Sequence, residues 1–313
     1  MSKPIVFVAF QQFCETDDRP RRALREAGLE VRENTLGRRL RREEMADVLR
    51  DVDAVLAGAE PYDAALLEAL PRLRCISRCG TGTDAIDLEA AQRLGIAIYT
   101  TPEEVVEPVA QLTLTMMLAL ARHVPAFLHD MRQGRWQRRT GWLLSEWTIG
   151  VVGFGRIGRR LWQYLRPFGA RVVVTDPVLK AGEVSEGIER CELASLLAQA
   201  DLVSLHVSRR PEEGPLLGPK EFTQMKPGSF LVNTSRGFLV DEEALCHALV
   251  SGHLAGAALD VFEQEPYTGA LTRLPQVICT PHVASLTMAS RAAMEWRCIQ
   301  HVLEWSSRRR DGL

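Results

Sequence analysis

The stretch that most constrains this chain is Gly150-Val-Val-Gly-Phe-Gly-Arg-Ile-Gly-Arg-Arg160. It holds G-x-G-x-x-G as Gly153, Gly155 and Gly158, a spacing that carries weight only in context. The flanks agree with one another. Thr148–Val152 is a short apolar, β-branched run and reads as a buried strand. Residues 157–168 carry apolar side chains at helical spacing. Arg171-Val-Val-Val-Thr-Asp176 reads as a second strand that ends in an acid. Strand, glycine turn, helix, strand and acid are together the fingerprint of a dinucleotide-binding βαβ unit.

Each part has a physical role. Gly153 permits the tight turn, Gly155 lets the backbone approach a pyrophosphate, and Gly158 lets helix and strand pack closely. The helix that opens at Arg156 and Ile157 presents free N–H groups and a positive dipole end to the phosphates. Asp176 is expected to accept hydrogen bonds from both adenosine ribose hydroxyls. A carboxylate there repels a 2′-phosphate, so the expected cofactor is NAD rather than NADP.

The glycine turn stands in the middle of a chain of 313 residues, so a second domain must precede it. Residues 4–98 alternate short strands with helices, which predicts an open parallel sheet. Thr101-Pro102 breaks the alternation. A long helix over 105–122, apolar and buried through its middle, and a second over 125–133 bridge to the fingerprint. The alternation resumes after Asp176 and closes with a strand at Val277–Cys279 and a terminal helix over 287–307. The expected fold class is α/β, with two Rossmann-like or flavodoxin-like parallel-sheet domains. Residues 1–99 with 285–313 would form one, and residues 100–284 the other.

Composition excludes some classes. The formal net charge is -2 and the basic runs at 19–25 and 38–42 are flanked by acids, so neither nucleic acid nor an anionic membrane is an expected partner. The longest apolar stretch, 112–121, is too short to span a bilayer. Met1-Ser-Lys-Pro leads straight into a strand-like run, so no signal peptide is expected. The seven cysteines are odd in number and contain no C-x-x-C, which fits reduced thiols in a cytoplasmic protein. Cys75 and Cys79 fall on one strand without two further ligands, so no metal site is expected.

Three later stretches carry chemistry. Val232-Asn-Thr-Ser-Arg-Gly237, Leu259-Asp-Val-Phe-Glu-Gln-Glu-Pro266 and Cys279-Thr-Pro-His-Val-Ala-Ser285 each follow a strand of the nucleotide domain. In such sheets ligands bind at the carboxyl ends of strands. An Arg, a Glu and a His at three strand ends suit hydride transfer to or from a hydroxy acid. The hydroxyl proton needs a base, the carboxylate and carbonyl oxygen need a cation, and the base needs a partner.

With these motifs in order, the sequence resembles the D-isomer-specific 2-hydroxy-acid dehydrogenases. The likeness runs through Ser77-Arg-Cys-Gly-Thr-Gly-Thr-Asp-Ala-Ile-Asp87, Val109-Ala-Gln-Leu112, the glycine turn, Asp201-Leu-Val-Ser-Leu-His206, Lys226-Pro-Gly and the 233–237 run. It implies that Arg236 binds the substrate carboxylate and polarises the carbonyl, and that His282 is the general acid/base. Glu265 would orient His282 and favour its protonated form. Asp260 would contact the nicotinamide carboxamide, with Thr234 and His206 near the cofactor. Arg78, Cys79, Gly80, Thr81 and Ser285 would contribute to substrate binding, in an interdomain cleft that closes over it. A homodimer is implied, with residues 125–147, including Trp136 and Trp142, as its contact.

The chain departs from the family pattern at Glu103, Val105 and Gln111, where Gly, Asn and Glu are common, and at Trp147, commonly a lysine. After His206 it reads Val207-Ser-Arg-Arg210, which places Arg209 and Arg210 as candidates for the cofactor phosphates. These departures leave the substrate open among phosphoglycerate-like acids, glyoxylate or hydroxypyruvate, and a phosphonate analogue; Arg78, Arg138 and Arg139 are candidates for a phosphate group. The chain ends soon after its last helix, so no C-terminal regulatory domain is expected. The alternative reading is a catalytically idle, NAD-sensing corepressor-like protein on the same fold.

Overall fold

The computed structural model describes residues 3–11, 13–15, 17–179, 188–207 and 213–310. The chain forms two compact units, Met1–Val105 with Ser285–Leu313, and Val106–Ala284. The first opens with Ile5–Val8 (β1), Arg19–Glu26 (α1), Glu30–Glu33 (β2), Arg42–Val48 (α2), Ala54–Ala57 (β3), Ala64–Glu68 (α3), Cys75–Arg78 (β4), Leu88–Arg93 (α4) and Ala97–Tyr99 (β5). Its strands form one parallel sheet in the order β2-β1-β3-β4-β5, the flavodoxin-like order. β1 and β3 are buried at every residue, which explains their unbroken apolar sequence. The edge strand β2, Glu-Val-Arg-Glu, keeps charges toward water and so discourages further pairing. Asp63 and Asp87 cap α3 and α4 by accepting from the backbone N–H groups of Leu66 and Ala90, both at 2.8 Å.

The second unit begins with Val106–Ala121 (α5) and Val124–Arg132 (α6). It continues through Thr148–Val152 (β6), Arg156–Leu165 (α7), Arg171–Thr175 (β7), Ile188–Arg190 (β8), Leu193–Gln199 (α8) and Leu202–Leu205 (β9). Pro219–Gln224 (α9), Ser229–Asn233 (β10), Glu242–Val250 (α10), Leu254–Leu259 (β11) and Val277–Cys279 (β12) complete it. All seven strands are parallel, in the order β12-β11-β10-β9-β6-β7-β8. The order reverses between β6 and β9. That reversal is the topological switch point of a Rossmann sheet, and the glycine turn leaves the end of β6 beside it.

After β12 the chain returns to the first unit with Met288–Arg310 (α11). Polar bonds fix the helix along its length. The Glu295 carboxylate accepts from the Cys14 N–H at 3.1 Å, Ser77 Oγ meets His301 Nδ1 at 3.1 Å, and Arg309 donates to Asp53 at 3.0 Å. Asp53 is buried, and its carboxylate also accepts from the Ile5 N–H and from Arg72. These three donors hold its pKa below the ordinary carboxylate value against the opposing cost of burial.

One strand was not foreseen and one expectation changes. The three-residue edge strand β8 was not legible, because it offers one half-buried residue followed by two exposed ones and so no periodicity. α5 is not buried all round its middle: Val109, Thr113, Met116, Met117 and Leu120 face the core, while Gln111 and Thr115 are exposed. The helix is apolar on part of its outer side as well, and composition alone does not separate the two sides. Among the described residues, no helix is long and apolar enough to cross a membrane.

Candidate active site

The glycine turn has the geometry its sequence requires. Gly153 has φ +92°, and a Cβ there would lie 2.4 Å from the His206 carbonyl oxygen. A Cβ on Gly158 would lie 2.3 Å from the Gly153 oxygen, so α7 sits tightly against the turn. A Cβ on Gly155 would meet nothing within 4 Å, which leaves an open approach in front of the first turn of α7. Arg156 is the first residue of that helix and is exposed, and Ile157 is half-buried.

Asp176 follows β7 and folds back on the same turn. Its carboxylate accepts from the Phe154 N–H at 2.7 Å and the Val178 N–H at 2.9 Å. Two carboxylate oxygens offer about four acceptor positions, so capacity for two hydroxyl donors remains. An open backbone cradle beside a half-buried, two-oxygen acceptor fits a pyrophosphate joined to a ribose.

His206 lies just past β9, behind the turn. Its Nε2 meets Ser204 Oγ at 2.8 Å, and its buried Nδ1 has no hydrogen-bond partner among the described residues. Burial lowers its pKa to about 4, so the imidazole is neutral near pH 7. Arg209 and Arg210 lie outside the described residues.

The acid/base candidates come from three neighbouring strand ends. β10, β11 and β12 are paired in register, Asn233 with Leu259 and Leu259 with Cys279. Adjacent strands lie roughly 4.8 Å apart, so the three loops leave side by side. The first loop is shaped by Asn233, whose side chain donates to the Arg236 carbonyl at 2.8 Å and accepts from the Ser235 N–H at 3.0 Å. Arg236 is half-buried, and its guanidinium donates to the Ser235 carbonyl. Next to it, a Cβ on Gly237 would lie 1.8 Å from the Phe262 carbonyl carbon, so only glycine lets the first loop touch the second this closely.

His282 and Glu265 meet directly. Nδ1 of His282 lies 2.9 Å from one Glu265 oxygen and 3.2 Å from the other. A carboxylate only accepts, so the network assigns the hydrogen to Nδ1 and leaves Nε2 to carry a transferable proton or a lone pair. His282 has φ +53°, a left-handed conformation uncommon outside glycine. Asp260 holds that turn in place. It is fully buried, and its carboxylate accepts from the N–H groups of Val283 at 2.9 Å and Ala284 at 2.8 Å and from the Thr280 hydroxyl. Its carbonyl accepts from the His282 N–H at 2.9 Å.

In the first unit, Arg78 ends β4 and its guanidinium donates to the Cys79 carbonyl. The Cys79 N–H donates to Ala57 O at 2.9 Å, and the Gly80 N–H donates to the buried Thr101 hydroxyl at 2.8 Å. Thr81 is exposed, and Ser285 is half-buried where the chain re-enters this unit. Arg139 pairs with Asp130 at 2.6 Å in the second unit, while Arg138 is exposed.

Two supporting residues escaped the sequence reading. Thr113 on α5 donates to the Val109 carbonyl at 2.7 Å, so its oxygen accepts from the Thr234 hydroxyl, 2.8 Å away. Thr234 thereby enters the loop with its proton already committed. Thr101 is the second, through its bond to Gly80. Both threonines are fully buried; Thr113 stands in an apolar run, which was the available signal, and Thr101 offered none.

Comparison with known proteins agrees with this geometry. Residues 114–284 match the family model described as D-isomer specific 2-hydroxyacid dehydrogenase, NAD binding domain. The chain is 38% identical over 251 residues to a D-3-phosphoglycerate dehydrogenase of Mycobacterium tuberculosis, covering 79% of this chain and 48% of that protein. It is 37% identical over 262 residues to a glyoxylate reductase of Thermococcus litoralis, covering 80% of this chain and 79% of that protein. A solved D-lactate dehydrogenase of Aquifex aeolicus, complexed with NAD and lactic acid, matches with a TM-score of 0.84 at 27% identity, covering 97% of this chain and 95% of that one. The chain spans about half the length of the D-3-phosphoglycerate dehydrogenases it matches. The chain therefore belongs to the D-isomer specific 2-hydroxyacid dehydrogenase family and carries its NAD-binding domain.

Proposed function

We propose that this protein transfers a hydride between NAD(H) and a small D-2-hydroxy acid or its 2-keto acid. The observation that carries the reading is the Glu265–His282 pair, held by Asp260 at a strand end beside the Arg236 loop. The bound dinucleotide supplies or receives the hydride. In the reducing direction His282 gives its Nε2 proton to the developing alkoxide, and Glu265 stabilises the imidazolium before transfer. Arg236 sets a fixed planar cation against the carboxylate and the carbonyl oxygen, a task for which lysine lacks the fork. Asp260 acts through the His282 turn. A substrate role for Arg78, Cys79, Gly80, Thr81 and Ser285 rests on the sequence resemblance, with Arg78 as the charged member. Phosphoglycerate-like acids and glyoxylate or hydroxypyruvate are the preferred substrates, and a phosphonate analogue is a third class to assay.

The test is NADH consumption with a panel of 2-keto acids. His282→Ala is expected to lower turnover by roughly two to four orders of magnitude with NADH binding retained. A protein that binds NADH but reduces no member of the panel would instead be the idle, NAD-sensing protein.

The same reading includes a homodimer. Leu128, Met131, Trp136 and Leu143 are 51%, 54%, 82% and 64% exposed. Leu128 also lines a groove of about 530 Å³ formed by α5, α6 and the segment through β12, in which apolar side chains are joined by His129, Arg132 and Arg273. Trp142 packs instead on Trp147 and Phe230 of its own chain. Light scattering at micromolar concentration tests the dimer, and a monomer refutes it. A cytoplasmic location is proposed from the seven cysteines, all free.

A further inference from the structure

α5 and β10 of the second unit bring two threonine hydroxyls together. Val232 and Thr234 lie on one face of the strand line, because side chains alternate along a strand. Val232 packs in one apolar cluster with Met116, Met117 and Leu120 of α5. Thr113 precedes these helix residues by one turn on the same face and is fully buried, while Thr234 keeps 7% exposure just past the end of β10. The two hydroxyl oxygens lie 2.8 Å apart. Their protons can be assigned. A hydroxyl has a single hydrogen and two lone pairs, and a carbonyl only accepts. Thr113 commits its hydrogen to the Val109 carbonyl at 2.7 Å. The bond between the threonines therefore takes its hydrogen from Thr234. The Thr234 oxygen has no further hydrogen to give, and toward any ligand it can only accept.

We infer that Thr113 is a positioning residue for the dinucleotide: it fixes Thr234 as an acceptor for a hydrogen-bond donor on the nicotinamide half. Dinucleotides cross the carboxyl edge of such a sheet at its switch point, here between β6 and β9. Asp176 after β7 suits the adenosine ribose and the turn after β6 suits the pyrophosphate. The other half then extends past β9 to β10, on the side of the sheet where β12 leads to His282. That course rests on the functional reading above. The donors on the nicotinamide half are its ribose hydroxyls and the carboxamide N–H groups, while its phosphate oxygens only accept. A hydroxyl free to turn its proton outward would suit either kind of group. With its proton held by Thr113, Thr234 meets a donor and disfavours a phosphate oxygen, which keeps the dinucleotide in one register along the edge. Thr113 is buried beneath this contact and acts through Thr234.

The experiment measures binding to the full chain by titration calorimetry, without turnover. The ligands are NAD, ADP, which lacks the nicotinamide half, and acetylpyridine adenine dinucleotide, which keeps the ribose hydroxyls and has a methyl group in place of the carboxamide nitrogen. Thr113→Val keeps the side-chain shape and loses the hydroxyl. It is expected to weaken NAD by about threefold to tenfold, the size of one net hydrogen bond. ADP should stay within about twofold, the scatter of independent sites. Thr113→Ser keeps the hydroxyl and should bind NAD as the parent does. Thr234→Val should show the same split between NAD and ADP, and adding Thr113→Val to it should weaken NAD no further, because the two residues act as one unit. Thermal melts check that each variant is folded, and Thr113→Ala, with the same expected split, stands in should the valine variant fail to fold.

A Thr113→Val loss that persists with the acetylpyridine analogue assigns the donor to the ribose, and a loss confined to NAD assigns it to the carboxamide. NAD binding unchanged in Thr113→Val, ADP weakened in parallel with NAD in a folded variant, no rescue by serine, or additive losses in the double variant each overturn the inference. If the parent protein reduces no keto acid, the functional reading fails by itself, and the titrations still decide the role of Thr113.

Discussion

Gly237 provides a sharp test of how the site is built. An added Cβ would lie 1.8 Å from the Phe262 carbonyl carbon, 2.1 Å from its oxygen and 2.2 Å from the Glu263 nitrogen. Ordinary contact begins near 3.4 Å, so the two loops must part by more than an ångström. All three atoms are backbone, and no side-chain rotation relieves them. Gly237→Ala therefore moves Arg236 on one side of the contact relative to Glu265 on the other. Overpacking of this kind costs about 1–3 kcal/mol of stability, or roughly 2–10 °C in Tm for a unit of this size. An ångström-scale misplacement of the catalytic cation lowers kcat/KM on the order of a hundredfold. NADH affinity should stay within about twofold, because the glycine turn is on another strand. The assays are a thermal melt, NADH fluorescence titration and steady-state keto-acid reduction. A variant with unchanged Tm and kcat/KM within threefold of the parent would refute the close-approach argument.

Gly155→Ala is the contrasting case: its Cβ meets nothing within 4 Å, so stability should hold while NADH affinity falls about tenfold or more, and a normal titration curve would refute the cradle. Asp176→Asn should narrow the preference for NADH over NADPH by roughly one to two orders of magnitude, read from the ratio of kcat/KM values, through loss of the charge that repels a 2′-phosphate. His206 ties stability to pH. Its pKa is lowered to about 4 in the folded protein, against about 6.5 unfolded, so the unfolded chain binds the extra proton between those values. Stability is then fully present above pH 6.5 and lost toward pH 4, on the order of 3 kcal/mol from this residue. Urea melts at several pH values should show that slope reduced in His206→Gln, and an unchanged slope would refute the assignment. Asp260→Ala should leave two N–H groups and a hydroxyl without their acceptor, at about 1–3 kcal/mol each. It should cut turnover more than NADH binding, and unchanged turnover would count against its role in holding His282.

The sequence by itself determined the parts that depend on local chemistry. Inner strands such as β1 and β3 are unbroken apolar runs because both faces of a parallel sheet are covered, so their type and place were legible. Asp63, Asp87 and Asp241 each cap the helix that follows, a purely local bond, and glycine spacing announced the nucleotide turn. The family motifs pointed to Arg236, Glu265 and His282 before any coordinate. What only the tertiary structure decided depends on contacts between residues far apart in the chain. Thr113 reads as one more residue of an apolar helix until Thr234, 121 positions away, bonds it. The Thr280–Ala284 turn closes on the Asp260 carboxylate from 20 to 24 positions on, a contact that no local pattern records. Periodicity reports which face of an element is buried, and it carries no record of which distant residue covers that face.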